Sequence, residues 1–267
     1  MDYHALIAQL EDPAALAGCI QALDTAAATE LVSYLKAEAD RHWWINANRS
    51  LELAELIMRI GQARADVCQT ALGMMARGDA LKLLGRTEEA WDTLGTAGEL
   101  FQQCGDHIGW ARTRIGRIGI CVDLNRVELA LAEAAKARAV LARHAVYDKQ
   151  LVLDLNTAVV YNLLGDQAQA LRIYQAALET AESLGEAGQT WLGPLYTNIG
   201  NVHFLLGDFR QAAAYHERAY TLFAERRETI NLATAELNLA RIAIAQGRYR
   251  RALSLLHHAH TLMPAAE

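Results

Sequence analysis

Only three prolines interrupt the 267 residues, and runs of β-branched residues are nearly absent, so little in the chain breaks helix or favours sheet. A basic excess is also missing: the formal net charge is −6. That excludes a general nucleic-acid binder, because phosphate contacts dominate such affinity and need surplus Lys and Arg. No window reaches the roughly 18 uninterrupted apolar residues of a membrane span. The first residues, MDYHALIAQLED, have neither the basic start nor the apolar core of a signal or transit peptide. A cytoplasmic protein is therefore expected, with neither nucleic acid nor membrane as partner. Cysteine is scarce too. Cys19, Cys68, Cys104 and Cys121 stand at irregular spacing without a C-x-x-C pair, so the expectation is buried thiols in a reducing compartment and no zinc or redox relay.

What is abundant is apolar side chain, 52% of residues against 21% charged, enough for a sizeable core and too much for disorder. The charge is unevenly spread. From Asn201 onward eight Lys or Arg face six Asp or Glu, so the first 200 residues carry an excess of −8. The gradient is mild and points only weakly to an acidic partner.

A spaced echo organises the chain: LLG85-RTEEA90, LN125-RVELA130, LLG165-DQAQA170, LLG207-DFRQA212 and AQG247-RYRRA252, at intervals of 40, 40, 42 and 40 residues. Each Gly or Asn sits between two apolar-periodic segments, where a left-handed residue ends one helix and starts the next. The segment before the marker is helix A of a hairpin and the one after it is helix B. In helix B, alanines recur seven apart, about two turns: Ala90 and Ala97, Ala130 and Ala137, Ala170 and Ala177, Ala212 and Ala219, Ala252 and Ala259. A stripe of missing side chains lets helix backbones approach closely. Units of this length cannot bury their apolar faces alone and must stack.

Together with the large residue four before the marker (Tyr161, His203) and the small one seven before it (Gly78, Ala158, Gly200, Ala240), this register resembles the tetratricopeptide repeat family. Pro264 also falls where that family ends a repeat. The resemblance covers residues 65–267 as five repeats. Each is longer than the common 34 residues by about six, which is similar to the long-helix subclass of kinesin light chains, maltose-regulator-type activators and bacterial regions joined to caspase-like CHAT domains. It implies an all-α, right-handed superhelix of antiparallel hairpins. Residues 1–64 carry the pattern loosely: two short capping helices, MDYHALIAQLED and AALAGCIQAL, then a degenerate sixth hairpin with Arg41 roughly at its turn. Cap and repeats are expected to form one continuous solenoid.

Several segments invite a chemical reading, and each has a plainer one. His216-Glu217 starts like an H-E-x-x-H zinc helix, but Tyr220 stands where the second His is needed, and the register puts His216 in the core. QQCG105 has no partnered His segment and reads as a packed thiol at a helix end. Gly116 and Gly119 lie inside a helix A, not between strand and helix as a phosphate loop requires, so close packing or groove space explains them. His257, His258 and His260 read as a solvated helix end. Trp43, Trp44 and Trp91 are expected to pack, as are Trp110 and Trp191, with a partner-facing anchor the lesser option for the last two. No catalytic residue, metal ligand or cofactor site is expected.

One constellation remains. Asn156, Asn198 and Asn238 stand nine residues before their markers on three successive helices A, followed at three and six residues by Val159 and Asn162, Asn201 and Phe204, Arg241 and Ile244. The spacing keeps each set near one helix face. The family resemblance implies that this face lines a concave groove. Asn both donates to and accepts from a peptide backbone, while Phe204 and Arg241 would add selectivity. The alternative is that the asparagines hydrogen-bond between helices and tie the solenoid together. The corresponding residues of the first two repeats, Ala76, Asp79, Lys82 and Gly116, Gly119, Val122, are smaller and poorer in amides, so binding is expected to centre on the last three. The leading function is a non-catalytic scaffold that holds a protein or peptide segment. The rival is the sensor or regulatory region of a larger bacterial protein, CHAT-protease-like or a transcription regulator, with its effector elsewhere. The last helix, with Leu253, Leu255, Leu256, Leu262 and Met263, has more large apolar side chains than one inward face needs, which leaves self-association through that edge as an option.

Overall fold

The computed structural model describes residues 7, 10, 13–43 and 45–263. Apart from Ile7 and Leu10, helical and buried, the expected first capping helix lies outside the described residues, as do Trp44 and Pro264. The rest is α-helix joined by short turns: α1 Pro13–Ala22, α2 Thr25–His42, α3 Ala47–Ala63, α4 Val67–Leu83, α5 Thr87–Gln103, α6 His107–Asp123, α7 Val127–His144, α8 Tyr147–Leu163, α9 Gln167–Ser183, α10 Gln189–Leu205, α11 Phe209–Glu225, α12 Thr229–Ala245 and α13 Tyr249–Leu262. No strand occurs among the described residues. A single 3-10 turn, Gly185–Gly188, precedes α10 and takes up the two extra residues of the 42-residue interval.

The chain divides into two compact units, residues 1–145 and 146–267. In each, α2/α3, α4/α5, α6/α7 and α8/α9, α10/α11, α12/α13 pack as hairpins. The markers behave as their chemistry requires: Gly85, Asn125, Gly165, Gly207 and Gly247 all have positive φ, between 53° and 78°. The turn closes in Schellman fashion, with the next N–H reaching the carbonyl five residues back, as in Arg86 to Leu81 (2.9 Å) and Arg248 to Ala243 (2.8 Å). Helix starts are capped by acid side chains. Asp24, Asp66, Asp106, Asp166 and Asp208 accept the backbone N–H three residues on at 2.8 to 3.1 Å. The turns from helix B to the next helix A use left-handed residues as well, and three of these, Ala65, Ala145 and Arg227, are not glycine.

All ten helix B alanines are buried, none exposed by more than 3%. The register therefore sets the core. It also explains the small residue seven before each marker: a Cβ on Gly78 would meet Leu94 at 2.7 Å, and one on Gly200 would meet His216 at 2.8 Å. Leu94 and His216 both stand nine residues after their markers. Where the A position is large, Ile118, the B position nine after its marker is small, Ala134, and both are buried. The two positions trade volume to keep interior packing density.

One expectation about side-chain chemistry is corrected. Cys68 and Cys104 form a disulfide with Cα atoms 5.7 Å apart, while Cys19 and Cys121 remain thiols. The hairpin is the reason: Cys68 opens α4 and Cys104 caps the end of α5, and antiparallel helices bring those two ends together although 36 residues separate them. His257, His258 and His260 are exposed, as expected of a helix end, and His258 in addition sets its Nδ1 2.6 Å from Oε1 of Glu236, a carboxylate buried in α12. Trp110 and Trp191 pack against their units' cores, and the Arg117 guanidinium sits 3.3 Å over the Trp91 ring.

Candidate functional site

Within the second unit, α10 touches both α8 and α12, so the three helices A form one row and share a face. Asn156, Asn162, Asn198, Asn201 and Phe204 are half-buried on it, and Arg241 is exposed. Asn238 is 9% exposed, and its Oδ1 accepts from Nη1 of Arg241 at 3.2 Å, one turn along the same helix. The guanidinium lies 4.7 Å from the centre of the Phe204 ring, reaching from α12 to α10, and that ring meets Phe209 at 5.5 Å. Cation–π contact of this kind holds the charge over an apolar plate while leaving its outer edge free to donate. Asn238, Arg241 and Phe204 are thus brought together. Among the described residues no hydrogen bond links Asn156, Asn198 and Asn238 to one another. Asn162 Oδ1 is buried and makes no hydrogen bond.

Behind this face lies His216, which sequence reasoning treated only as core. It is 1% exposed, with its imidazole against Gly200 and its Nδ1 unpartnered. Burial, helped by the nearby Arg241 charge, pushes its pKa down to about 4, so the ring is neutral near pH 7. Neutral His216 leaves Arg241 as the positive group beside Phe204. Nothing in the local sequence signals this; the signal is the register position nine after Gly207 opposite a glycine.

The first unit's row, α2, α4 and α6, carries different chemistry. Lys36 pairs with Asp40, and Lys82 reaches Asp123 at 3.8 Å. Asp79 makes no hydrogen bond, and desolvation raises its pKa to about 6 against the opposing pull of Lys36. Gly116 and Gly119 make room for these side chains: a Cβ on Gly116 would stand 3.0 Å from Leu94 and 3.3 Å from the Asp79 carboxylate, and one on Gly119 would collide with the Lys82 ammonium. Below the face, Glu133 accepts from Arg114 (3.1 Å) and Lys136 (3.1 Å), with Arg117 at 3.8 Å. This is a charged, internally paired surface over a buried ion-pair network.

Two family models, both described as tetratricopeptide repeat, match residues 150–225 and 237–264. The chain carries tetratricopeptide repeats, and its fold is that of tetratricopeptide-type helical-hairpin proteins. Solved structures agree across almost the full length. BtubC (BKLC) from P. vanneervenii superposes with a TM-score of 0.64 at 18% identity, over 88% of this chain and 95% of that one. NprR in complex with its cognate peptide NprX gives 0.64 at 17% identity, over 96% and 72%. A Rap protein complexed with Competence and Sporulation Factor gives 0.66 at 16%, over 97% and 76%. No curated protein sequence matches the chain.

Proposed function

We propose that this chain is a non-catalytic interaction scaffold that holds a peptide or extended protein segment on the helix A face of its second unit. One observation carries the reading: Asn156, Asn198 and Asn238 recur on three adjacent helices without bonding to each other, with Arg241 held over Phe204 beside them. Side-chain amides can both donate to and accept from a peptide backbone whatever its sequence, and the cation with its aromatic plate supplies preference for an acidic or apolar side chain. Likeness of fold to NprR, whose structure is a complex with its cognate peptide, supports the same reading. Neither nucleic acid nor a lipid surface is proposed as partner.

The test starts from a displayed library of random peptides selected on the whole protein. Affinity of the best binder is then measured calorimetrically. Asn198→Ala with Asn238→Ala should weaken it at least tenfold, about 1.4 kcal/mol, while the helical circular dichroism stays intact. Unchanged affinity with a lower melting temperature would assign the asparagines to holding helices together.

Self-association through the last helix belongs to the same proposal. Leu256 and Met263 occupy the register positions of His216 and Phe223, which are buried at 1% and 4%, yet they are exposed at 38% and 44%, beside Leu253 at 67%. A second copy covering this stripe would bury it. Light scattering over rising concentration should then report a mass increase that Leu253→Glu abolishes; a strict monomer removes this part of the proposal.

A further inference from the structure

A cavity of about 360 Å3 opens between α11, α12 and α13, lined in part by Phe209, whose ring meets Phe204 of the amide row at 5.5 Å. Its floor is apolar, made by Leu239, Ile242 and Ala243 of α12, all at most 7% exposed. Its rim is basic. Arg210 comes from α11 and Arg248 and Arg251 from the start of α13. The one acid in the lining, Glu217, is engaged by Arg251 at 3.3 Å. Arg210 and Arg248 have no acidic partner within ion-pair distance among the described residues.

The repeat itself makes this arrangement unusual. Arg210 stands three residues after its marker Gly207, and Arg248 one residue after Gly247. In the first unit the same two register positions on successive helices B are Glu88, three after Gly85, and Arg126, one after Asn125, and they form an ion pair at 3.0 Å. The two intervening steps place Glu128 and Asp166, then Ala168 and Asp208, there. So the hairpin geometry sets these positions close enough for a salt bridge, and the last step alone fills both with cations. Two cations that line one cavity at positions able to reach each other repel, and an anion between them removes the repulsion. Guanidinium is also the side chain best shaped to grip a carboxylate or phosphate through paired N–H donors.

We propose that this cavity is a binding site for a small organic anion: a carboxylate or phosphate gripped by Arg210 and Arg248, on an apolar body that lies over Leu239, Ile242 and Ala243. The volume sits at the low end of the roughly 300–1,000 Å3 of small-molecule pockets, which suits a body of one or two fused rings. The site adjoins the peptide face through Phe209, but its anion-gripping residues, Arg210 and Arg248, are not part of that face, so variants at these two test it alone.

Isothermal titration calorimetry on the full chain tests this with four probes: 1-naphthyl phosphate, 1-naphthoate, neutral 1-naphthol and inorganic phosphate. At least one of the two aryl anions should bind ten times more tightly than both 1-naphthol and inorganic phosphate. A preference for the phosphate identifies a phosphorylated ligand, and parity or a preference for 1-naphthoate identifies a carboxylate. Arg210→Glu should abolish that binding and raise the melting temperature, because it rebuilds with Arg248 the pair seen between Glu88 and Arg126. Arg210→Gln with Arg248→Gln should weaken it at least tenfold without lowering the melting temperature. Aryl anions that bind no better than 1-naphthol, or equal binding to the double Gln variant, overturn the proposal. Inorganic phosphate binding as tightly as 1-naphthyl phosphate overturns the role of the apolar floor.

Discussion

The two units share one hairpin register and put opposite electrostatics on it. In the first, the helix A row is charged and largely paired within itself, Lys36 with Asp40 and Lys82 with Asp123, with Asp79 left without a hydrogen bond. In the second, the row is amide and aromatic, with one cation, Arg241, held over Phe204. The difference lies in what each face has left to offer. Paired charges have satisfied one another, whereas Asn156 and Asn198 make no side-chain hydrogen bond among the described residues and keep donors and acceptors for a ligand, Asn238 alone spending its Oδ1 on Arg241. The cores differ too: the first unit buries Glu133 among guanidiniums, and the second buries a neutral imidazole at His216 besides Glu236 with its partner His258.

The largest expected effect separates a buried charge of the first unit from an exposed one of the second. Glu133→Gln keeps the shape but removes the charge that two nearly buried guanidiniums share, so it should cost on the order of 3–5 kcal/mol in chemical denaturation. Glu217→Gln, which loosens an exposed pair with Arg251 in the second unit, should cost under about 1 kcal/mol. Equal costs would erase the contrast.

Acid sharpens it next. The pKa of His216 is lowered in the folded state to about 4 from 6.5, so the unfolded chain binds the extra proton first. Its contribution is fully present above pH 6.5 and is lost as pH falls toward 4, about 3 kcal/mol by linkage. Asp79 runs the other way. Its pKa is raised from 3.8 to about 6, so its contribution is present below pH 3.8 and lost as pH rises through 6. Urea titrations across this window should find that His216→Leu, the residue type at the equivalent positions 94 and 256, flattens the fall toward acid, and that Asp79→Asn removes the opposing slope.

A smaller effect tests the volume trade in the first unit. Gly78→Ile should overpack against Leu94 by roughly 1–3 kcal/mol. Adding Leu94→Ala, which copies the Ile118 and Ala134 pair, should recover at least about 1 kcal/mol of what the two changes cost separately. Additive costs would mean the positions do not share space. Smallest are the strained turns: Arg227→Gly in the second unit and Ala65→Gly in the first, both now left-handed without being glycine, should each stabilise by about 0.5–1 kcal/mol in thermal melts.

Much of the fold was legible because it rests on residues with narrow physical uses. The left-handed markers and the alanine stripes pointed to one local structure, and helix type and register follow from them. The disulfide was not legible, since irregular sequence spacing hides that Cys68 and Cys104 lie at adjoining helix ends. Nor were the turns at Ala65, Ala145 and Arg227, whose residues carry no turn preference. For the candidate site, the i, i+3 spacing pointed to Asn238 with Arg241, but the Phe204 plate comes from the neighbouring helix and needs the stacked row to be seen. Arg210, Arg248 and Arg251 read in sequence only as a mild charge gradient; their meaning comes from the ion pair that the same positions form at Glu88 and Arg126.

The most direct test of the central contrast compares one peptide on two variants. A peptide selected from the random library is titrated by calorimetry into Asn198→Ala with Asn238→Ala, which strips the second unit's amide row, and into Asp79→Ala with Lys82→Ala, which strips the first unit's charged row. The account predicts at least a tenfold loss for the first variant and less than a twofold change for the second. A loss confined to the second variant would contradict it and move the binding face to the first unit.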